Sequence, residues 1–205
     1  MAARAAVGFR VHSGWAAAVA VAGPPDNPAA LARRRIEMVD GGVPGAAQPY
    51  HAAAGLKISD AEHLVSNSAE RAAQLGQRAL AAMLEELRGK GYTVTGCGLL
   101  LASGRPLPPL ENILASHPLI HTAEGELFRE ALRTASRQCG VAVAAIKEHD
   151  LFDRAATDLL IATDAIHARL SAMGKAMGPP WRQDEKYAAL AGWWALATEQ
   201  KLPIQ

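Results

Sequence analysis

Acid is missing where the chain begins. No Asp or Glu precedes Asp26, although Arg4 and Arg10 fall within that stretch. Cysteine is scarce too. Cys97 and Cys139 are the two in the chain, too few and too far apart for a disulfide framework or a thiolate zinc site, which points to a reducing, cytoplasmic setting. Neither sign of charge is in excess. The 21 Lys and Arg against 20 Asp and Glu give a formal net charge of +1, so only a local patch, not a global field, could gather nucleic acid or an acidic membrane surface. No apolar run is long enough to cross a bilayer: the Ala-rich stretch at 15–23 falls far short, and the opening residues do not read as a signal peptide. Repeats, low-complexity tracts and an interdomain linker are absent, so residues 1–205 are expected to form a single domain with one sizeable core. Gly96-Cys97-Gly98 lies inside an apolar run rather than at a strand-to-helix turn, which argues against a dinucleotide fingerprint. Ser103-Gly104 has no G-x-S-x-G around it, so a serine-hydrolase elbow is unsupported.

What is present is an alternation of short apolar runs and helical patterns. Residues 7–12 and 15–22 are apolar and joined at Ser13-Gly14, which predicts a β-hairpin. The Gly- and Pro-rich segment 23–28 is a turn. Residues 31–39 alternate and predict a third strand, with Arg34 on the face opposite Arg33 and Arg35. Ser59 and Glu62 form a capping box for a helix reaching about Arg88, ended by Gly89 and Gly91. The unbroken apolar run 95–102 predicts a strand covered on both faces. Residues 106–118 read as a loop with room for one helical turn, and Thr122 as the cap of a helix at 123–138. A buried strand is predicted at 141–146, with helices at 151–173 and 183–198. Adjacent Trp193 and Trp194 point to different sectors of the last helix, so burying both needs cover on two sides, from the core alone or from the core and a homodimer contact. Abundant Ala, with Arg outnumbering Lys, points to a GC-rich, bacterial-type genome.

The order strand, strand, strand, helix, strand, helix, strand, helix, helix resembles the ribonuclease H-like superfamily, in its resolvase-like and predicted-nuclease branch. The hairpin from Gly8-Phe9-Arg10 through Gly14-Trp15 is similar to the opening strands of that branch. Asp184-Glu185-Lys186-Tyr187-Ala188-Ala189-Leu190-Ala191 is similar to its last helix, where one or two acids precede an Ala-rich stripe. The resemblance implies an α/β fold: a five-stranded mixed sheet, made of an antiparallel three-strand meander plus two parallel strands, with helices on both faces. It also implies a metal-binding Asp on the first strand. Arg10 stands at that position here; Asp184 matches the first acid of the last helix, and Tyr187 stands where a second would be.

In open α/β sheets, ligands collect beyond the carboxyl ends of the parallel strands. On the implied topology that edge gathers Arg10, His12, Ser13, Arg105, His121, Glu124, Glu126, His149, Asp150 and Asp184. Three chemistries suit these residue types. Glu124 or Glu126 with Asp150 and Asp184 could hold Mg²⁺ or Mn²⁺ for phosphodiester hydrolysis, although each acid also suits a helix-end role. His12, His121 and His149 with a carboxylate would suit zinc, though none of these pairs has helical spacing; His117 and His121 would if their stretch were helical, which Pro118 opposes. Arg10, His12, Ser13, Arg105, His121 and His149 would suit an anionic ligand. The absent first-strand acid favours a degenerate, non-catalytic module that binds an anionic ligand, a nucleic acid or a protein in the strand-end crevice. The alternative is a divalent-metal-dependent nuclease or phosphodiesterase with Glu124, Glu126, Asp150 and Asp184 as its catalytic acids, of which Glu124, Asp150 and Asp184 would hold the metal.

Overall fold

The computed structural model describes residues 2–102, 104 and 106–199. Strands β1 (Ala3–His12), β2 (Trp15–Ala22) and β3 (Ala29–Glu37) come first, followed by a short helix α1 (Pro49–Ala53) and the long α2 (Ile58–Gly89). Then come β4 (Tyr92–Leu101), α3 (Leu110–Leu114), α4 (His117–Gln138), β5 (Ala142–Lys147) and a single 3₁₀ turn (Glu148–Asp150). Helices α5 (Leu151–Leu159), α6 (Thr163–Met177) and α7 (Gln183–Glu199) close the chain.

The strands form one sheet in the order β3-β2-β1-β4-β5. The β1–β2 and β2–β3 pairs are antiparallel; β1–β4 and β4–β5 are parallel. This is the meander-plus-parallel arrangement that the element order implies. The hairpin closes where His12 faces Trp15, and Gly14 takes φ +83°, a left-handed geometry that glycine adopts without strain.

Helices cover both faces of the sheet, and the period-2 alternation of β1 sorts its residues between them. Val7, Phe9 and Val11 join a cluster with Leu80, Met83 and Leu87 of α2 and Phe128 and Leu132 of α4. Ala6 belongs to the opposite cluster, with α5, α6 and α7. On that side α7 lies almost in backbone contact with the sheet. A Cβ at Gly8 would fall 1.9 Å from the Ala188 carbonyl oxygen, and one at Gly98 2.1 Å from that of Ala191. Glycines on β1 and β4, facing an Ala-rich helix, are what allow the approach. Trp193 and Trp194 are both buried, because α7 is covered by the sheet on one side and by α5 and α6 on the other. The Trp194 indole N–H donates to Asp158 at 2.8 Å. Among the described residues, no helix is long and apolar enough to cross a membrane.

Several local elements depart from the sequence pattern. Helix α2 starts at Ile58 with Lys57 as its extended N-cap, so Ser59 lies inside the first turn and no side-chain cap forms. Helix α4 starts at His117 rather than at Ala123. Pro118 sits in its first turn, where a missing N–H costs nothing, and Thr122 bonds back to the Pro118 carbonyl at 2.9 Å instead of capping. The segment 151–173 is broken at Leu160, which takes a left-handed φ of 58° and separates α5 from α6.

Candidate functional site

Side chains converge where β1 and β5 end and α7 begins. Arg10 projects from β1 toward the α7 face, as alternation from Phe9 requires. Its guanidinium spans two acids: Nη1 donates to Asp184 at 2.6 Å, Nη2 to Glu148 Oε1 at 2.7 Å, and Nε to Glu148 Oε2 at 3.1 Å. The Glu148 pair is bidentate, the geometry a planar guanidinium favours. The same guanidinium lies 5.0 Å from the Tyr187 ring centroid, one turn along α7 from Asp184. These contacts raise the Arg10 pKa above its usual value, the Glu148 bonds most of all. A cation that cannot lose its proton is therefore fixed between two carboxylates.

His12 lies two residues further along the same face. Its Nε2 is 2.8 Å from Asp184 Oδ1, the oxygen that also accepts from Arg10. Burial pulls the Asp184 carboxyl upward, but the His12 and Arg10 bonds and charges outweigh it and hold the pKa below the ordinary carboxylate value. The His12 ring stacks on Trp15, with centroids 4.3 Å apart and planes 12° from parallel. The Arg35 guanidinium in turn lies 3.7 Å from the Trp15 ring centroid. Asp184, His12, Trp15 and Arg35 thus run in contact across the ends of β1, β2 and β3. A groove of about 500 Å³ opens beside them, lined by Trp15, Arg33, Arg35, Arg182 and Asp184 among others. Arg33 donates to the carbonyls of Gly178, Pro179 and Pro180, which ties β3 to the segment leading into α7. Arg34 pairs with Glu86 of α2, on the opposite face as alternation demands.

The remaining predicted residues distribute as follows. Ser13 is exposed at the hairpin tip. Asp150 pairs with His149 at 3.2 Å in the exposed 3₁₀ turn. Glu126 approaches Arg129 at 3.7 Å, and Arg129 also donates to the Leu100 carbonyl at 3.2 Å. Burial lowers the Arg129 pKa against the opposing charges of Glu126 and Glu148. Glu124 lies on the other side of the sheet, in the α4 layer, 1% exposed and bonded to His51. His121 stands beside His117 and His51. Arg105 falls outside the described residues. Glu148 is the participant that sequence reasoning passed over in favour of its neighbours His149 and Asp150. The only available signal was its place as the first residue after β5.

The ribonuclease H-like fold ordinarily gathers free carboxylates at this edge to hold divalent metal. The residues here do not fit such ions. Asp184 and Glu148 are already bridged by Arg10, Glu126 has Arg129 beside it, and the strand that would present a further acid presents the guanidinium.

No family model matches the chain, and neither does any curated protein. Solved structures do, and two of them are RuvC. RuvC of Thermus thermophilus in complex with Holliday junction substrate superposes with a TM-score of 0.58 at 8% identity, over 97% of this chain and 96% of that one. A second Thermus thermophilus RuvC structure gives 0.56 at 10% identity, over 96% of each chain. Likeness at such identities is a likeness of fold. The chain is built on the ribonuclease H-like fold, in the arrangement seen in the resolvase RuvC.

Proposed function

We propose that residues 1–205 act as one ribonuclease H-like domain in the cytoplasm, holding a phosphate-bearing ligand, nucleic acid foremost, in the strand-end groove without cleaving it. The observation that carries this reading is Arg10 bound between Glu148 and Asp184. An internal guanidinium bridges Glu148 and Asp184, acids on which metal-dependent hydrolysis would depend, and offsets one of their two negative charges. Next to it lies a surface of the kind that tracks a nucleic-acid backbone: Arg35 and Arg182 as cations, Trp15 and His12 as flat rings, and the Ser13 hydroxyl at the tip. His149, beside Glu148 and Tyr187, extends the edge toward β5. That a RuvC with this fold is seen on Holliday junction substrate makes branched DNA the first ligand to try.

The test is fluorescence polarisation of labelled four-way and linear DNA duplexes with the full chain, without divalent ions. Binding should weaken steeply with salt, and Arg35→Ala and Arg182→Ala should each lower the salt slope by about 1. Incubation with Mg²⁺ or Mn²⁺ should leave the DNA intact. Cleavage that needs Mn²⁺ and is lost in Asp184→Asn would instead establish the metal-dependent nuclease; absence of binding at low salt would remove nucleic acid as the ligand.

A further inference from the structure

On the opposite side of the sheet, three imidazoles meet. His51 comes from α1, and His117 and His121 from the first two turns of α4. The ring centroids are 4.7 Å apart for His51 and His121, 4.5 Å for His117 and His121, and 5.3 Å for His51 and His117. One ring nitrogen of each lies within 4.8 Å of the others. His117 and His121 stand at i and i+4, on one face of the helix, because Pro118 starts α4 early enough to include both. Their Nε2 atoms face each other at 3.0 Å. Two nitrogens bound to one tetrahedral zinc lie about 3.3 Å apart, close to the separation of this hydrogen-bonded pair.

A second, independent feature points the same way. Glu124 is 1% exposed, yet among the described residues no Lys or Arg is bonded to it. Its Oε1 accepts from the His51 backbone N–H at 3.2 Å and from His51 Nδ1 at 2.9 Å. A buried carboxylate is costly unless a positive charge answers it. In the neutral tautomer that donates Nδ1–H to this carboxylate, His51 Nε2 keeps its lone pair for a metal. This carboxylate–imidazole relay is the arrangement that orients a metal-bound histidine and raises its basicity.

We infer that His51, His117 and His121 bind a divalent transition-metal ion of the zinc class, with Glu124 as the outer-shell carboxylate that orients His51. Three imidazole ligands select zinc, or its neighbours cobalt and nickel, over Mg²⁺ and Mn²⁺, which prefer oxygen. His117 and His121 are exposed, so the fourth position opens to solvent and takes water or an anion. The site is separate from the strand-end groove: Arg10, His12 and Asp184 lie on the α7 face, Glu124 in the α4 layer. It depends neither on nucleic-acid binding nor on how the Arg10 crevice is read.

Isothermal titration of the chelator-stripped full chain with Zn²⁺, and separately with Mg²⁺ and Mn²⁺, tests it. One Zn²⁺ per chain is expected, and Co²⁺ should give the visible absorption of a tetrahedral nitrogen site. Losing an outer-shell partner costs roughly 10–100-fold in affinity, so Glu124→Gln should fall in that range and His117→Ala or His121→Ala beyond it. These two histidines are exposed, so their loss leaves the fold intact, as an unchanged circular-dichroism spectrum would confirm. Asp184→Asn should leave Zn²⁺ affinity unchanged. The inference is overturned if no equimolar Zn²⁺ binds, if affinity survives both histidine substitutions, or if it follows Asp184 instead.

Discussion

On the α7 face, helix and sheet meet backbone to backbone through Gly8, Gly98 and Gly192, whereas on the other face α2 and α4 stand off on Leu, Met and Phe side chains. The chemistry at the upper end of each layer differs as well. Beside α7, two acids share one guanidinium, and the cluster is complete in itself. Beside α4, a buried acid is, among the described residues, bonded to a histidine rather than to Lys or Arg, and three rings bring a nitrogen each within 4.8 Å of one another. The close-packed layer has supplied its own cation; the looser one is arranged to take a cation from solution. One fold can thus carry an internally ion-paired crevice and a cation-seeking one on opposite faces, because the sheet lies between the two layers.

The largest effect is expected where the layers differ most in separation. Gly8→Ala would put a methyl group 1.9 Å from the Ala188 oxygen, a backbone atom that can move only if the whole of α7 shifts. Overpacking typically costs about 1–3 kcal/mol, and this case should lie at or above the top of that range. Urea unfolding should show a much lower midpoint, and displacement of α7 should carry Asp184 away from Arg10. A near-wild-type midpoint would mean that α7 does not sit so close.

Next in size is the loss of the internal cation. Arg10→Ala leaves Glu148 and Asp184 facing each other without it, and should destabilise the chain by about 2 kcal/mol, less than a fully buried pair because the acids are partly exposed. The freed carboxylates should then accept Mn²⁺, so the melting temperature of the variant, but not of the wild type, should rise saturably with added Mn²⁺. Equal responses in both proteins would erase the distinction between a satisfied and an unsatisfied acid cluster.

The side-chain-spaced layer should respond in the opposite sense. A Cβ at Gly76 of α2 would find Leu132 at 3.5 Å and Ala135 at 3.6 Å, both ordinary contacts. Gly76→Ala should therefore stabilise by up to about 1 kcal/mol through helix propensity, read as a raised urea midpoint. Destabilisation would show that α2 and α4 pack more tightly than their side chains indicate.

Much of this architecture is legible in the sequence, because hairpin and strand signals are short-range. The Ser13-Gly14 turn, the alternation of the Arg33–Arg35 segment and the apolar run of β4 all act within a few residues, and the paired tryptophans announce a helix covered on two sides. The resemblance then supplies the strand order. The site was legible to the extent that alternation and topology govern it: Arg10, His12 and Asp184 do meet at the strand ends. The helix starts were less legible. Pro118 reads as a breaker along the sequence but is an initiator in space, and on that distinction depends whether His117 and His121 share a helix face. His51 could not be read at all. It comes from a five-residue helix in a Gly- and Pro-rich region and reaches its partners across 73 residues of chain, a contact that no local pattern encodes. Glu124 resembles any early-helix acid until its burial is known.

The smallest effect, and the most direct check on the charge pattern of the α7 crevice, lies in the acid limb of stability. The folded chain holds the Asp184 pKa below its ordinary value, against burial, through His12 and Arg10. A group whose folded pKa is depressed binds fewer protons folded than unfolded in the interval between the two values. Its stabilisation is complete above the unfolded pKa of about 3.9 and is lost as pH falls through the lower folded value. Asp184→Asn removes that contribution, since an amide does not titrate here and holds Arg10 and His12 less strongly. The variant should therefore be less stable than the wild type at neutral pH, and the gap between their urea midpoints should narrow as pH falls below about 4. Two midpoint curves that stay parallel into acid would mean that Asp184 draws no stability from its partners. The internal ion cluster would then be a surface coincidence, and the contrast between the two faces would rest on packing alone.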